Sequence, residues 1–215
     1  VRVRGWGKSG HAAMPQGTVN AIGLVVDYLL ANGIGSEAER AFLQLLHKLH
    51  SAWDGTGLGI QADDGLFDPL TVVGGVIRME NGALRQTVDC RFPTSTNGSV
   101  LEAALRKAAG DAGVVCMDHV NEPFYIGVDA APIQALMEAY CQVTGEEAKP
   151  FTMGGGTYAR HFPLAVSFGP ENSNAVLPDF AGPMHGANEG AKFEHLLAAL
   201  KIYILALLKL EELEY

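Results

Sequence analysis

Leu70-Thr71-Val72-Val73-Gly74-Gly75-Val76-Ile77-Arg78-Met79-Glu80-Asn81-Gly82-Ala83-Leu84-Arg85-Gln86-Thr87-Val88-Asp89-Cys90-Arg91-Phe92 is the stretch that decides the fold. Two alternating runs, 70–80 and 83–92, flank Asn81-Gly82. That pair favours the two-residue turn of an antiparallel hairpin because both residues tolerate positive φ. Such a turn places Glu80 opposite Ala83. Val73, Ile77 and Met79 then share a core face with Leu84, Val88 and Cys90, while Thr87, Asp89 and Arg91 point the other way.

Working outward from the hairpin, the arginine-alternating start (Val1-Arg2-Val3-Arg4) predicts a half-buried strand. A glycine-rich loop carrying His11, Pro15 and Gly17 follows. Ile22, Val25, Val26 and Leu29 recur at helical spacing, and Asn32-Gly33 stops that helix. Ser36 with Glu39 is a capping-box pattern ahead of a helix with Phe42, Leu45, Leu46 and Leu49 on one face. Residues 51–69 are rich in Gly and Asp and read as a long loop. Beyond the hairpin, Ser99 with Glu102 predicts a second capping box, and Leu101, Ala104, Leu105 and Ala108 form the inner stripe of its helix. Residues 114–120 read as a last strand. Strand, helical segment, two hairpin strands, helix, strand is the split βαβ (ferredoxin-like) plan, an α+β arrangement with helices on one face.

A boundary falls near 123–128. After it, Ile133, Leu136, Met137 and Tyr140 stripe a helix, residues 164–168 read as a short strand, and Phe193, Leu196, Leu197, Leu200, Ile204 and Leu207 stripe a long final helix. A buried strand needs neighbours on both sides, and this block supplies none, so its partners are expected upstream of Val1.

Composition narrows the function. The chain has 215 residues, 48% of them hydrophobic, enough for a real core. A net charge of −9 without a basic cluster argues against nucleic acid and anionic membrane surfaces. The three cysteines, Cys90, Cys116 and Cys141, lie in apolar-periodic stretches, so buried free thiols in a reducing, cytoplasmic compartment are expected. No signal peptide is evident, and the apolar run 196–210, broken by Lys201 and Lys209, is short for a membrane span.

Four features carry potential chemistry: His11 in Gly10-His11-Ala12-Ala13-Met14-Pro15; Asp89-Cys90-Arg91-Phe92-Pro93; Met153-Gly154-Gly155-Gly156-Thr157-Tyr158-Ala159-Arg160; and Gly182-Pro183-Met184-His185-Gly186-Ala187-Asn188-Glu189-Gly190. An imidazole on a rigid turn suits a metal. Singly, each feature also has an ordinary reading. His185 is a turn histidine before a helix, His11 is solvated, Arg91 is a surface strand residue, and Asp89 pairs with a neighbour across the sheet. The triple glycine is a tight turn or a cradle of backbone N–H groups for an anion, although it lacks a P-loop lysine. No Gly-x-Ser-x-Gly elbow is present and no cysteine sits in an exposed loop beside a histidine, so a nucleophilic hydrolase has no support.

In this order, the four features resemble the co-catalytic zinc peptidases and amidases that include aminoacylase, carboxypeptidase G, succinyl-diaminopimelate desuccinylase and carnosinase-type (Xaa-His) dipeptidases. The spacing from Gly7 through His11, Pro15 and Gly17 to Asn20 is similar to the lid pattern of the bacterial Xaa-His dipeptidase type. The Asp89–Pro93 strand end, the Gly154–Arg160 loop and the Met184–Glu189 loop look like that type's corresponding motifs. The family's early His-x-Asp motif and its Glu-Glu pair at the metal are absent from this sequence. Glu146-Glu147 and Glu211-Glu212 stand in other contexts.

The resemblance implies a lid, residues 1–126, followed by the C-terminal segment of an α/β metallopeptidase catalytic domain, residues 127–215. It implies two divalent metal ions in the intact enzyme, zinc, or else manganese or cobalt, with His185 as one ligand. It makes His11 a hydrogen-bond donor to the developing oxyanion and Arg91 the partner of a substrate's free C-terminal carboxylate. Gly155, Gly156, Thr157 and Arg160 would line the same pocket. The expected substrate is a short peptide or an N-acyl amino acid. The chain alone is expected to be inactive, and its uncovered apolar faces are expected to favour self-association. Two other readings stand beside this one: a non-catalytic binding or dimerisation module on the split βαβ sheet, and an anion- or nucleotide-binding protein using the triple glycine.

Overall fold

A computed structural model describes residues 2–169, 176–182 and 188–214. The chain divides into two units, Val1–Phe124 with Thr152–Gly155, and Tyr125–Phe151 with Gly156–Tyr215. The secondary structure is mixed, helices with one two-stranded antiparallel sheet, an α+β composition.

In the first unit the hairpin forms as its turn dictates. β1 (Thr71–Glu80) and β2 (Ala83–Arg91) pair antiparallel, Glu80 opposite Ala83, around Asn81 at φ 50° and Gly82 at φ 80°. The register departs from expectation partway along. Ile77 pairs with Gln86 but Gly74 pairs with Val88, so Gly75 and Val76 together oppose Thr87. This is a β-bulge. The side chain of Thr87 completes it, its Oγ1 accepting the Val76 N–H at 2.9 Å, and Gln86 Nε2 donates to the Val76 carbonyl at 3.1 Å. The bulge moves β1 by one residue. Val72, not Val73, lies opposite Cys90 and enters the core, while Thr71 and Val73 join Arg91 and Asp89 on the other face. Met79 and Val88, expected inside, are exposed. The buried part of the sheet is the end around Leu70 and Val72.

Three helices belong with it: α1 (Ala21–Ala31), α2 (Glu37–Ser51) and α3 (Gly98–Ala109). The Ser36–Glu39 capping box is present in both directions, with Ser36 N–H donating to Glu39 at 2.6 Å. At α3 the cap is Asn97 rather than Ser99, its Oδ1 accepting the Val100 N–H at 3.0 Å; asparagine caps as well as serine, and here it comes first. Val26, Leu43, Leu46, Leu49, Leu70 and Val72 form the buried centre. Burying each leucine or valine contributes about 1.5–3 kcal/mol.

The four-stranded plan is not formed among the described residues. Residues 2–4 and 114–120 make no ladder. Alternation stabilises a strand only when one face is covered, and Val114 is 87% exposed. The thiols also differ from expectation: all three are free, but Cys116 is exposed.

His50, on the last turn of α2, lies against the bulge. A β-carbon on Gly74 would stand 3.0 Å from His50 Nε2 and nearer still to Cε1, so glycine is required there by sterics. Burial holds the His50 pKa below its ordinary value, opposed by Gln86 and Asp27. The unfolded chain therefore takes up this proton first as pH falls. The stability that neutral His50 contributes is complete above about pH 6.5 and is lost progressively below it. Thermal melts between pH 7 and 5 should show Tm falling, with a shallower slope in His50→Gln. An unchanged slope would mean that other groups carry the dependence.

In the second unit, α4 (Ala131–Thr144) and α5 (Phe193–Glu211) pair. Their contact uses small residues: Ala135 and Ala139 are buried on α4, and Ala199, Ile202 and Ala206 on α5. Lys209 Nζ reaches Glu138 at 2.9 Å. The apolar stripe read from the sequence is exposed, with Leu196, Leu200, Ile204 and Leu207 each about half accessible or more. Residues 164–168 form no strand. Tyr203 Oη donates to the Phe168 carbonyl at 3.2 Å, and the two rings meet edge to face. An uncovered apolar helix face of this size seeks cover. Light scattering on the purified chain should show species larger than a monomer, reduced by Leu200→Lys with Leu207→Lys. A monomeric wild-type chain would contradict this.

Among the described residues, no helix is long and apolar enough to cross a membrane.

Candidate functional site

The bulge sets up the polar face of the hairpin, and the loop carrying His11 is fastened over it. Thr71, 2% exposed, donates its hydroxyl to the Ala12 carbonyl at 3.0 Å. Lys8 and Val19 form an isolated antiparallel bridge that closes the loop. Asn20 ends it with two bonds. Its Oδ1 accepts the Ile22 N–H at 3.0 Å, capping α1, and its Nδ2 donates to the Gly74 carbonyl at 2.7 Å, beside the bulge. His11 itself is exposed, and its Nδ1 accepts the Ala13 N–H at 3.2 Å. In a neutral imidazole the other nitrogen then carries the proton, so Nε2 faces outward as a donor. Beside it lies an open cleft of about 470 Å³, lined by His11, Thr18, Val73, Thr87 and Asp89 among others.

Arg91 ends β2 on the same face as Asp89. The two are paired side-on: Nε to Oδ1 at 2.6 Å and Nη2 to Oδ2 at 2.9 Å. The cross-strand partner expected for Asp89 is thus replaced by its own strand's Arg91, because residues two apart on a strand share a face. The third bond of Arg91 runs from Nη1 to the Gly154 carbonyl at 3.0 Å. Gly154 also lies close to the His11 loop, since a β-carbon on it would come within 3.2 Å of Ala13 Cβ. Within the first unit, therefore, three of the four sequence motifs meet: the His11 loop, the Asp89–Arg91 strand end and the start of the glycine run. At Gly154 that run presents a carbonyl to a cation, the opposite of an anion cradle.

Asp64 braces this corner. Its carboxylate accepts N–H groups from Leu66 and Phe67 and both the N–H and hydroxyl of Thr94, at 2.6–2.9 Å. The Phe67 amide and the Thr94 hydroxyl hold its pKa well below the usual carboxylate range. Thr152 Oγ1 donates to the Leu66 carbonyl at 2.8 Å, which ties the start of the glycine segment to the braced loop. Behind Asp89, burial and then the neighbouring carboxylate push the Cys90 thiol up to about 12, so it is no nucleophile at neutral pH.

Gly155 belongs to the first unit, and Gly156, Thr157 and Arg160 to the second. Thr157 precedes a short 3-10 turn, Tyr158–His161. The Arg160 side chain lies 3.9 Å from where a Gly156 β-carbon would be, and its Nε is buried without a partner among the described residues. His185 lies outside the described residues. The described ends of its loop are joined by Gly182 N–H donating to the Asn188 carbonyl at 2.8 Å. Among the described residues no group of three or more His, Cys, Asp or Glu side chains is placed to hold a metal. The described residues by themselves supply no metal centre, and His185 is not among them.

Sequence reasoning missed Thr71 and Asp64, and it gave Asp89 the wrong partner. The Asp-x-Arg spacing on one strand face was the available signal for Asp89.

No family model matches the chain. Among the bacterial proteins to which it is similar over nearly its whole length are the following three. The Beta-Ala-Xaa dipeptidase of Lactobacillus delbrueckii subsp. lactis is 28% identical over 207 residues, 95% of this chain and 43% of that protein. The "Putative dipeptidase" of Staphylococcus epidermidis is 28% identical over 204 residues, covering 94% and 42%. The "Putative dipeptidase YtjP" of Bacillus subtilis is 24% identical over 209 residues, covering 97% and 44%. The chain thus spans less than half the length of these curated relatives.

Proposed function

We propose that this chain contributes the lid and part of the catalytic domain to a metal-dependent peptidase acting on dipeptides or N-acyl amino acids with a free C-terminal carboxylate. One observation carries the reading. His11, the Asp89–Arg91 pair and Gly154 are gathered on one face of the hairpin by contacts across large sequence separations. The dipeptidase names of the relatives agree with it.

In this reading Arg91 grips the substrate carboxylate, since its planar guanidinium suits two oxygens. His11 donates Nε2–H to the carbonyl oxygen as negative charge develops there. Gly155, Gly156, Thr157 and Arg160 line the substrate pocket. His185 is one ligand to a pair of divalent ions, zinc, or else manganese or cobalt. Such ions, when bound, polarise the carbonyl and lower the pKa of a bound water. A zinc site takes about four ligands, more than one histidine supplies.

The purified 215-residue chain, given dipeptides with Zn²⁺, Mn²⁺ or Co²⁺, should therefore show no hydrolysis. Activity that co-purifies with the chain would overturn the division of labour proposed here. In the metal-loaded enzyme, elemental analysis should find less metal in His185→Ala and full occupancy in His11→Ala. Equal loss in both would refute the separate roles.

A further inference from the structure

Arg91 holds five N–H donors in one plane. Asp89 takes the Nε donor and one on Nη2, at 2.6 and 2.9 Å, and the Gly154 carbonyl takes one on Nη1 at 3.0 Å. Each terminal nitrogen keeps one N–H, and neither has a partner among the described residues. A guanidinium held along one edge and at one corner can no longer rotate about its long, flexible stem. We propose that Asp89 is the positioning residue for Arg91: it fixes the guanidinium so that the two unspent N–H groups meet a substrate carboxylate end-on.

This rests on the reading of Arg91 as a carboxylate anchor and adds how that anchor is made specific. Asp89 also offsets the charge of Arg91. The corner therefore selects carboxylates by the direction of two hydrogen bonds more than by net positive charge. Asp89 lines the cleft beside His11, so the residue that orients the anchor faces the same space as the proposed oxyanion donor. Among the described residues, the cross-strand partners of the pair cannot replace it. Thr71, directly opposite Arg91, spends its hydroxyl on Ala12, and Val73, opposite Asp89, is apolar.

The test is a titration of the ¹⁵N-labelled chain with a dipeptide and with its C-terminal amide, for wild type and Asp89→Asn. Wild type should bind the acid about tenfold more tightly than the amide. Asp89→Asn should lose most of that difference through weaker acid binding, with the amide unchanged. The Arg91 Nε–H signal, protected from exchange in wild type, should exchange rapidly in the variant. A merely structural role, or partial misfolding, would weaken acid and amide alike and overturn the proposal. So would an Asp89→Asn variant that binds the acid as well as or better than wild type, because Asp89 would then be idle or a competitor. A wild type that binds neither ligand, or both equally, removes the anchor reading of Arg91 itself, an outcome distinct from failure of Asp89 alone.

Discussion

His11→Ala in the metal-loaded enzyme lowers kcat by about 10²–10³-fold with little change in KM. The expectation follows from where the proton sits. The Ala13 N–H donates to Nδ1 at 3.2 Å, which in a neutral imidazole leaves Nε2 as the donor. A donor aimed at charge that exists only in the transition state changes kcat; one aimed at the ground-state substrate changes KM. Steady-state kinetics on one dipeptide separate the two. His11→Gln, which keeps a donor of similar reach, should recover part of the loss. A His11→Ala enzyme within fivefold of wild type would remove His11 from the chemistry and return it to a solvated loop residue.

The second large effect belongs to Arg91. A hydrogen bond to a charged group contributes about 1.5–3 kcal/mol. Losing a two-bond contact should lower kcat/KM for a dipeptide by about ten- to hundredfold or more, while the C-terminal amide, which never had that contact, is cleaved as before. Arg91→Lys keeps the charge but not the fork, and should behave more like the alanine variant than like wild type. Metal content should not move in either. If wild type cleaves acid and amide equally well, Arg91 is no anchor, and its bonds to Asp89 and Gly154 serve the strand end alone.

What the sequence revealed and what it hid divide along physical lines. The Asn81-Gly82 turn, the Ser36–Glu39 box and the buried faces of α1 and α2 were legible because the interactions that fix them are local. The bulge was not. Gly74 is demanded by the ring of His50, from a helix distant in sequence, and no pattern within the strand reports that demand. The face of α5 that meets α4 was not legible for a different reason. Large apolar residues surround that helix, so periodicity could not choose a side; the choice fell to the small residues, Ala199 and Ala206, which let α4 approach. At the site, His11 and Arg91 were visible as residue types in suggestive loops. The carbonyl of Gly154 and the hydroxyl of Thr71 were invisible, since a backbone acceptor has no letter and a threonine on a strand has many ordinary uses.

The bulge also acts as a gear. Between the Asn81-Gly82 turn and the strand ends, β1 counts one residue more than β2. Each strand end therefore keeps its own phase. Setting the extra residue aside in the bulge is what lets Val72 plug the core while Thr71 grips the His11 loop from the opposite side. A regular ladder that kept all ten residues of β1 would put Val73 opposite Cys90 and exchange those two assignments, whereas deleting Gly75 would remove the bulge and leave Val72 opposite Cys90 and Thr71 opposite Arg91. A further insertion between residues 74 and 77 should be far more damaging than the exposure of Val76 would lead one to expect, and a deletion of Gly75 far less.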